Sequence, residues 1–211
     1  MKKSRLKAAL AQGIFLALAL LALIAVNGLS ESLLFLAAIA LHEAAHIIIG
    51  RFMGIAMGLP RAGLFGLRFV ISSMNLSGAK ALCLYLSGIF ANLALGGILL
   101  VFSESAQMRF FAFYNFLIAA VNLIPAYPLD AARAICGLLA PSMGQLGAVK
   151  AMAAVSEIIA SVMFVFGVYL YLFHSDYIIP MVMGCMIFFC TQRETSKAEE
   201  GYLKENWRRY A

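Results

Sequence analysis

Long apolar segments separated by short polar ones dominate the hydropathy pattern of this chain. A helix needs roughly 20 residues, each rising about 1.5 Å, to cross the roughly 30 Å hydrocarbon core of a bilayer. Six segments reach or approach that length, and they cover residues 11–28, 32–50, 80–102, 108–124, 151–173 and 177–192. The pattern therefore predicts an all-α membrane protein with about six transmembrane helices.

Residues 53–78, between the second and third predicted spans, break the helical pattern. The segment includes an apolar run near Phe69–Ile71, and its turn-forming residues are Gly54, Gly58, Pro60, Gly63, Gly66 and Gly78. Such residues favour turns, so the segment predicts a Gly-rich hairpin or re-entrant loop after the second helix. An unpaired strand edge there would bind an extended peptide by strand addition. A simple loop between helices explains the same residues equally well.

Composition supports the membrane class. Hydrophobic residues make up 64% of the 211 residues, charged residues make up 12%, and the mean hydropathy is +0.93. Ordinary soluble domains are about 45–50% apolar and about 25% charged. A soluble chain of this length could not bury so much apolar surface, whereas lipid can cover it.

The positions of the basic residues orient the predicted helices. With six spans, 15 of the 16 Lys and Arg residues fall on one side of the membrane, and Arg109 alone falls on the other. Positive residues accumulate on the cytoplasmic side, so both termini are predicted to be cytoplasmic. The net charge of +6 thus reflects membrane topology, and we expect no nucleic-acid partner.

The chain divides into a polytopic transmembrane domain at residues 1–192 and a cytoplasmic polar tail at residues 193–211. The first apolar segment follows basic residues, as in a signal peptide, but no A-x-A-like cleavage site precedes Asn27 and Gly28. We therefore expect a retained first helix. The tail mixes aromatic and basic residues, so it either rests on the membrane interface or is solvated.

The sequence His42-Glu43-Ala44-Ala45-His46 lies within the second predicted span. Residues i and i+4 share one face of a helix, so both imidazoles can reach the same ion. Zinc binds neutral histidine nitrogens, and a catalytic zinc keeps one position open for water, which Glu43 is placed to deprotonate. The composition predicts about 0.002 chance matches to such a pattern in this chain, so chance is a poor explanation.

A catalytic zinc needs a third protein ligand, and few carboxylates lie inside the predicted spans. Apart from Glu43, Asp130 and Glu157 remain once the acids of loops and tail are set aside. Asp130 is predicted at the cytoplasmic end of its span, the same depth as His46, although it also suits the N-cap of the next helix. Glu157 lies deeper, where pairing or protonation is expected. We favour Asp130 as the third ligand.

Two motifs together resemble a known family. HEAAH in an apolar helix, followed by NLIPAYPLD at residues 122–130, is similar to the site-2 proteases, which are intramembrane zinc metalloproteases. Ser87–Asn92 is also similar to a family segment that is usually closer to A-G-P-x-x-N. The chain departs from the family pattern at two places. It has Ile89 where the family segment has proline, and Ala131–Ala132 where the family often has Gly-Gly after the aspartate.

The resemblance implies a role for each matching residue. It implies one Zn²⁺ per chain, held by His42, His46 and Asp130, with Glu43 as catalytic base. Asn122, Pro128 and Asn92 would bind substrate or support the site.

The resemblance also implies an activity, namely hydrolysis of peptide bonds in or near transmembrane segments of membrane-tethered proteins. The six spans and the cytoplasmic site are most similar to the sporulation-type branch, stage IV sporulation protein FB, which processes a pro-sigma factor in regulated intramembrane proteolysis. We therefore expect a multi-pass protein of a bacterial cell membrane. An inhibitory membrane partner and a homo-oligomer are both compatible with the sequence.

Two other functions use the same residues. A membrane metal transporter or metal-dependent scaffold would need polar residues along a continuous path and often shows inverted repeats, and the sequence displays neither. A different HExxH membrane peptidase would take a glutamate as third ligand, and Glu157 is the candidate. In that case the match at residues 122–130 would have no role.

Overall fold

The computed structural model of this protein describes residues 21, 24, 25, 28–55, 57–63, 66–71, 76, 78–174 and 178–210. Along this part of the chain the elements are α1 (Leu29–Phe52), β1 (Met57–Gly63), β2 (Gly66–Ile71), α2 (Ala79–Phe102), α3 (Ala106–Asn122), α4 (Asp130–His174) and α5 (Ile179–Tyr210). The backbone of α4 is not helical at Gly144, where φ is 74° and ψ is 160°. The first predicted span lies outside the described residues except at 21, 24, 25 and 28.

Three of the described helices are long and apolar enough to cross a membrane. They are α1, α2 and the Asp130–Phe173 part of α4. The predicted spans at 108–124 and 177–192 correspond to α3 and to the first half of α5. Large apolar side chains such as Phe102, Val165 and Phe189 are exposed, as expected where lipid covers a helix. These features support an integral membrane protein, and the total of six spans stays a prediction.

Helix α1 has identifiable start and stop signals. Glu31 in its first turn and Arg51 in its last turn oppose the partial charges of the helix ends. Gly54 follows with a φ of 67°, and the amide of Ile55 donates to the carbonyl of Gly50 at 2.9 Å. This left-handed glycine closes the helix and directs the chain into β1. Strand β1 then pairs antiparallel with β2, from Met57 opposite Ile71 to Gly63 opposite Gly66.

The first of two compact units contains α1, the strand pair, α2 from Ser87 onward, and α3 as far as Ala119. Its interior is unusual for an apolar chain because it holds polar side chains beside small apolar ones. The fully or almost fully buried polar residues of this unit are Ser32, His42, His46, Asn92 and Asn115. Burying a polar group is costly unless it is hydrogen-bonded, and every buried side-chain nitrogen and oxygen in the described part of the chain has a partner.

The second compact unit contains the first turns of α2 up to Leu86, and the chain from Ala120 onward. Helices α4 and α5 pack against each other along this unit. Its core consists of two apolar clusters, one with Tyr127, Ala132, Cys136, Ala148, Val149 and Met152, and one with Ala126, Ala160 and Ile187. The turn at residues 123–129 belongs to both clusters, so the start of α4 is held firmly by the core of this unit.

Candidate metal centre

His42 and His46 lie one turn apart on α1, and both are buried, with exposures of 4% and 8%. Their Nε2 atoms are 3.2 Å apart. Two nitrogens bound to one tetrahedral zinc ion at about 2.0–2.1 Å would lie about 3.3–3.4 Å from each other. The histidine pair therefore already has the separation of two ligands of one metal ion.

Asn92 of α2 contacts Nδ1 of His42 and favours one tautomer of its ring. Its Oδ1 lies 2.9 Å from His42 Nδ1, while its Nδ2 donates to the carbonyl of Ala38 at 3.2 Å and to Oδ1 of Asn115 at 2.9 Å. Since the amide nitrogen already faces two acceptors, the oxygen must face the histidine. His42 then donates from Nδ1, which leaves the lone pair of Nε2 directed toward His46 for a metal ion.

Ser87 and Gly88 place α2 against the second histidine. The Ser87 hydroxyl lies 3.2 Å from His46 Nδ1 and can accept a hydrogen bond from it, which again leaves Nε2 for a metal ion. A Cβ atom on Gly88 would lie 2.6 Å from His46 Nε2 and 2.7 Å from His42 Cε1. Real Cβ atoms do not approach so closely, so any larger residue at this position would have to displace an imidazole ring.

Asp130 is the first residue of α4, and the turn before it is anchored in the second unit. The amide of Tyr127 donates to the hydroxyl of Ser156 at 3.0 Å, and the Tyr127–Pro128 peptide bond is cis. Burial, with a hydrogen bond to Cys136, raises the pKa of the Tyr127 phenol, so this side chain stays neutral. The aspartate thus follows a turn whose backbone and side chains are both fixed by packing.

His42, His46 and Asp130 form a candidate metal site. Each offers one ligand atom, and these atoms lie within 4.8 Å of one another in a group whose three residues are all buried. A bound cation would balance the charge of a buried carboxylate, which is otherwise costly. Two imidazole nitrogens and one carboxylate oxygen suit zinc, and they also admit other divalent ions. These are the three side chains that the sequence predicts as ligands.

The other residues predicted for the site lie on the same elements. Glu43 follows His42 on α1 and is half-buried. Asn122 ends α3 and is half-buried, whereas Pro128 is buried in the turn before α4. The catalytic role of Glu43 and the supporting roles of Asn92, Asn122 and Pro128 stay predictions.

Glu157, the alternative third ligand, lies on α4 and has a different partner. Its Oε1 accepts a hydrogen bond from Gln192 of α5 at 2.9 Å. Among the described residues, the group of three metal-ligating side chains contains Asp130 and does not contain Glu157. The structure therefore favours the aspartate as the candidate ligand.

The chain is similar to two known proteins, one by sequence and one by structure. Zinc metalloprotease MJ0392 of Methanocaldococcus jannaschii is 22% identical over 182 residues, which cover 82% of this chain and 52% of that protein. This chain therefore spans about half the length of that relative. A solved structure of a site-2 protease from the same organism matches with a TM-score of 0.70 at 20% identity, covering 88% of each chain. No family model matches the chain.

The chain has the site-2 protease fold. The resemblance to the site-2 protease family, first drawn from HEAAH and from residues 122–130, is confirmed by these two comparisons. They do not test the sporulation-type branch, which stays a prediction.

Three residues of this site-2 protease fold received no role from the sequence, namely Ser87, Gly88 and Asn115. The first two lie in the segment that resembles A-G-P-x-x-N, but their contacts with the histidines depend on how α2 packs on α1. Asn115 could have been found from the sequence, because it is a polar residue inside an apolar predicted helix, and such a residue is costly and tends to be functional. Its spacing of seven residues from Asn122 also places the two amides on one helix face.

Proposed function

We propose that this chain is an intramembrane zinc metalloendopeptidase that hydrolyses peptide bonds in or near the transmembrane segments of membrane-tethered proteins. The observation that carries the proposal is the buried group of His42, His46 and Asp130 in a chain with three apolar helices of membrane-spanning length. The names of the two similar proteins, a zinc metalloprotease and a site-2 protease, support the same activity.

His42, His46 and Asp130 would hold one zinc ion in this proposal. When bound, zinc supplies Lewis-acid chemistry, which lowers the pKa of a bound water to about 7 and polarises a carbonyl. Glu43, next to His42 on α1, takes the proton from the attacking water and returns it to the amine nitrogen of the leaving peptide. Asn92 and Ser87 hold the two imidazoles in the orientation that presents Nε2.

Strands β1 and β2 supply a place for the substrate in this proposal. A transmembrane helix hides its carbonyls in its own hydrogen bonds, so it must unwind locally before hydrolysis. Within the described residues, β1 and β2 pair only with each other, so each strand retains an edge of backbone donors and acceptors. An unwound segment would bind to such an edge by strand addition. This interpretation takes residues 53–78 as a functional hairpin.

The proposed topology has six spans with both termini in the cytoplasm of a bacterial cell. It is supported by the distribution of the basic residues, of which Arg109 alone falls on the outer side. Within the sporulation-type branch the substrate would be a membrane-tethered regulator such as a pro-sigma factor. An inhibitory membrane partner and a homo-oligomer belong to this proposal as well.

The deciding experiment measures the metal content of the detergent-purified protein beside two variants. We expect about one zinc per chain for the wild type, a large loss in Asp130→Ala, and no loss in Glu157→Ala. Loss of zinc in Glu157→Ala alone would assign the third ligand to the glutamate and overturn the site-2 protease mechanism. Absence of bound metal in the wild type would contradict the proposed activity itself.

A further inference from the structure

A line of hydrogen bonds runs from α3 through α2 to His42 on α1. Asn115 Nδ2 donates to the carbonyl of Phe111 at 2.8 Å, and Asn92 Nδ2 donates to Asn115 Oδ1 at 2.9 Å. The line ends at His42 Nδ1, 2.9 Å from Asn92 Oδ1. We propose that Asn115 is a positioning residue: it sets the orientation of the Asn92 amide and thereby keeps the proton of His42 on Nδ1. This inference rests on the proposed function, because it names a residue that prepares one of its metal ligands.

The carbonyl of Phe111 fixes which groups donate and which accept along this line of hydrogen bonds. A carbonyl oxygen only accepts hydrogen bonds, so the amide nitrogen of Asn115 must face it and the amide oxygen of Asn115 must face α2. That oxygen in turn requires the nitrogen of Asn92, whose own oxygen then faces His42. Each amide therefore has one orientation that satisfies all of its neighbours, which for Asn92 include the carbonyl of Ala38. The first neighbour in the line, the carbonyl of Phe111, is backbone.

Removing the acceptor on Asn115 would weaken the hold on Asn92. The amide nitrogen of Asn92 would keep the longer hydrogen bond to the carbonyl of Ala38, at 3.2 Å. A reversed Asn92 amide would present its NH₂ group to Nδ1 of His42 and favour the tautomer with the proton on Nε2. A protonated nitrogen does not bind a metal ion, so the reversed amide would oppose metal binding.

Because the two asparagines are buried, water cannot replace a hydrogen-bond partner that either of them loses. Asn92 and Asn115 are both 0% exposed, so solvent does not compete for their amide groups. The ring of Phe116, the residue after Asn115, packs on α2 one turn from Asn92, since a Cβ on Gly96 would lie 3.1 Å from it. In such a site a lost partner is not replaced by bulk water, and the remaining polar atom bears the cost of desolvation.

The test compares Asn115→Leu, which removes the acceptor, with Asn115→Asp. A buried aspartate is expected to be neutral, so its carboxyl offers a donor to Phe111 and an acceptor to Asn92. The first measurement is ¹⁵N NMR of the ring nitrogens in metal-free protein labelled at histidine. The chain has three histidines, so His42 is assigned with single replacements of His46 and His174. The second measurement is zinc affinity by competition with a chelator.

We expect the Nδ1–H tautomer of His42 in the wild type and in Asn115→Asp. Asn115→Leu should populate the Nε2–H tautomer and bind zinc about 10-fold more weakly, the lower end of the effect of residues that orient metal ligands. An unchanged His42 tautomer in Asn115→Leu overturns the inference, even if zinc binding and proteolysis stand. If Asn115→Leu does not fold, Asn115→Ala provides the same comparison.

The control variant is Ile118→Ala, which removes a buried apolar side chain from the same helix. It should lower the thermal stability without changing the His42 tautomer or the zinc affinity. An equal loss of zinc affinity in Ile118→Ala would show that α3 acts through general stability, and the inference would fall. A wild-type protein that binds no zinc would contradict the proposed function, whereas the tautomer of metal-free His42 would still decide the role of Asn115.

Discussion

The side-chain oxygen of Asn92 accepts a hydrogen bond from Nδ1 of His42 over 2.9 Å, across 50 positions of the sequence. The contact joins α2 to α1 in the interior of the first unit. It favours the tautomer of His42 with the proton on Nδ1, because an amide oxygen accepts a hydrogen bond and does not donate one.

Replacing Asn92 should weaken metal binding according to what the new side chain offers to His42. Asn92→Leu removes the acceptor, and we expect zinc affinity to fall about 10- to 100-fold, as for other residues that orient metal ligands. Asn92→Asp keeps an acceptor for Nδ1 and should bind zinc more tightly than Asn92→Leu. Chelator competition on purified protein measures both. Equal affinities for the two variants would contradict the role of the acceptor.

Adding one methyl group at Gly88 should disturb the histidine pair. A Cβ there would lie 2.6 Å from His46 Nε2, so Gly88→Ala must displace an imidazole or separate α2 from α1. We expect a loss of zinc content of about 10-fold or more, measured per chain in detergent. Gly97→Ala is the matched control, because a Cβ on Gly97 of the same helix meets nothing within 4 Å. A similar loss in both variants would show that the contact of position 88 with the imidazoles is not the cause, since alanine favours a helix more than glycine does.

Replacing the proposed catalytic base should separate metal binding from hydrolysis. Glu43→Gln keeps the shape of the side chain but cannot accept the proton, so we expect full zinc content and peptide hydrolysis slower by about 10²- to 10⁴-fold. Cleavage of a membrane-tethered substrate reconstituted with the protein measures the rate. Glu157→Gln makes the same chemical change on α4 and should stay active. Wild-type cleavage by Glu43→Gln would remove Glu43 from the mechanism.

The turn before Asp130 should depend on Ser156 for its stability. Ser156→Ala leaves the buried amide of Tyr127 without its acceptor, which should lower the free energy of unfolding by about 1–3 kcal/mol. Denaturant titration of the protein in mild detergent measures this change. Ser161→Ala, one turn and a half further along α4, removes an exposed hydroxyl that donates to the carbonyl of Glu157 in its own helix, and should cost less than about 0.5 kcal/mol. Equal losses would mean that the Tyr127 contact is unimportant.

Much of this protein follows from local pattern. The apolar segments predicted the ends of α2 to within about one residue and those of α1 to within about three, because helix length and hydropathy are properties of a short stretch of chain. The spacing of His42 and His46 predicted a pair on one face, since residues four apart on a helix are neighbours in any fold. The resemblance to site-2 proteases came from two such local motifs.

The residues around the histidines depend on contacts between distant parts of the chain. Asn115 meets Asn92 across 23 positions, and Ser87 meets His46 across 41. An amide or hydroxyl in an apolar helix shows that a partner is needed, but not which partner, because that depends on how the helices pack. The requirement for glycine at position 88 likewise exists only because two imidazoles lie against it.

Both the sequence and the tertiary structure were needed to choose the third candidate ligand. The sequence by itself reduced the candidates to Asp130 and Glu157, since charged residues inside a membrane are rare and costly. It also determined the class of protein, the histidine pair and the apolar helices, all of which depend on spacing and composition alone. Only the tertiary structure grouped Asp130 with the histidines and paired Glu157 with Gln192, because such contacts are set by the packing of whole helices.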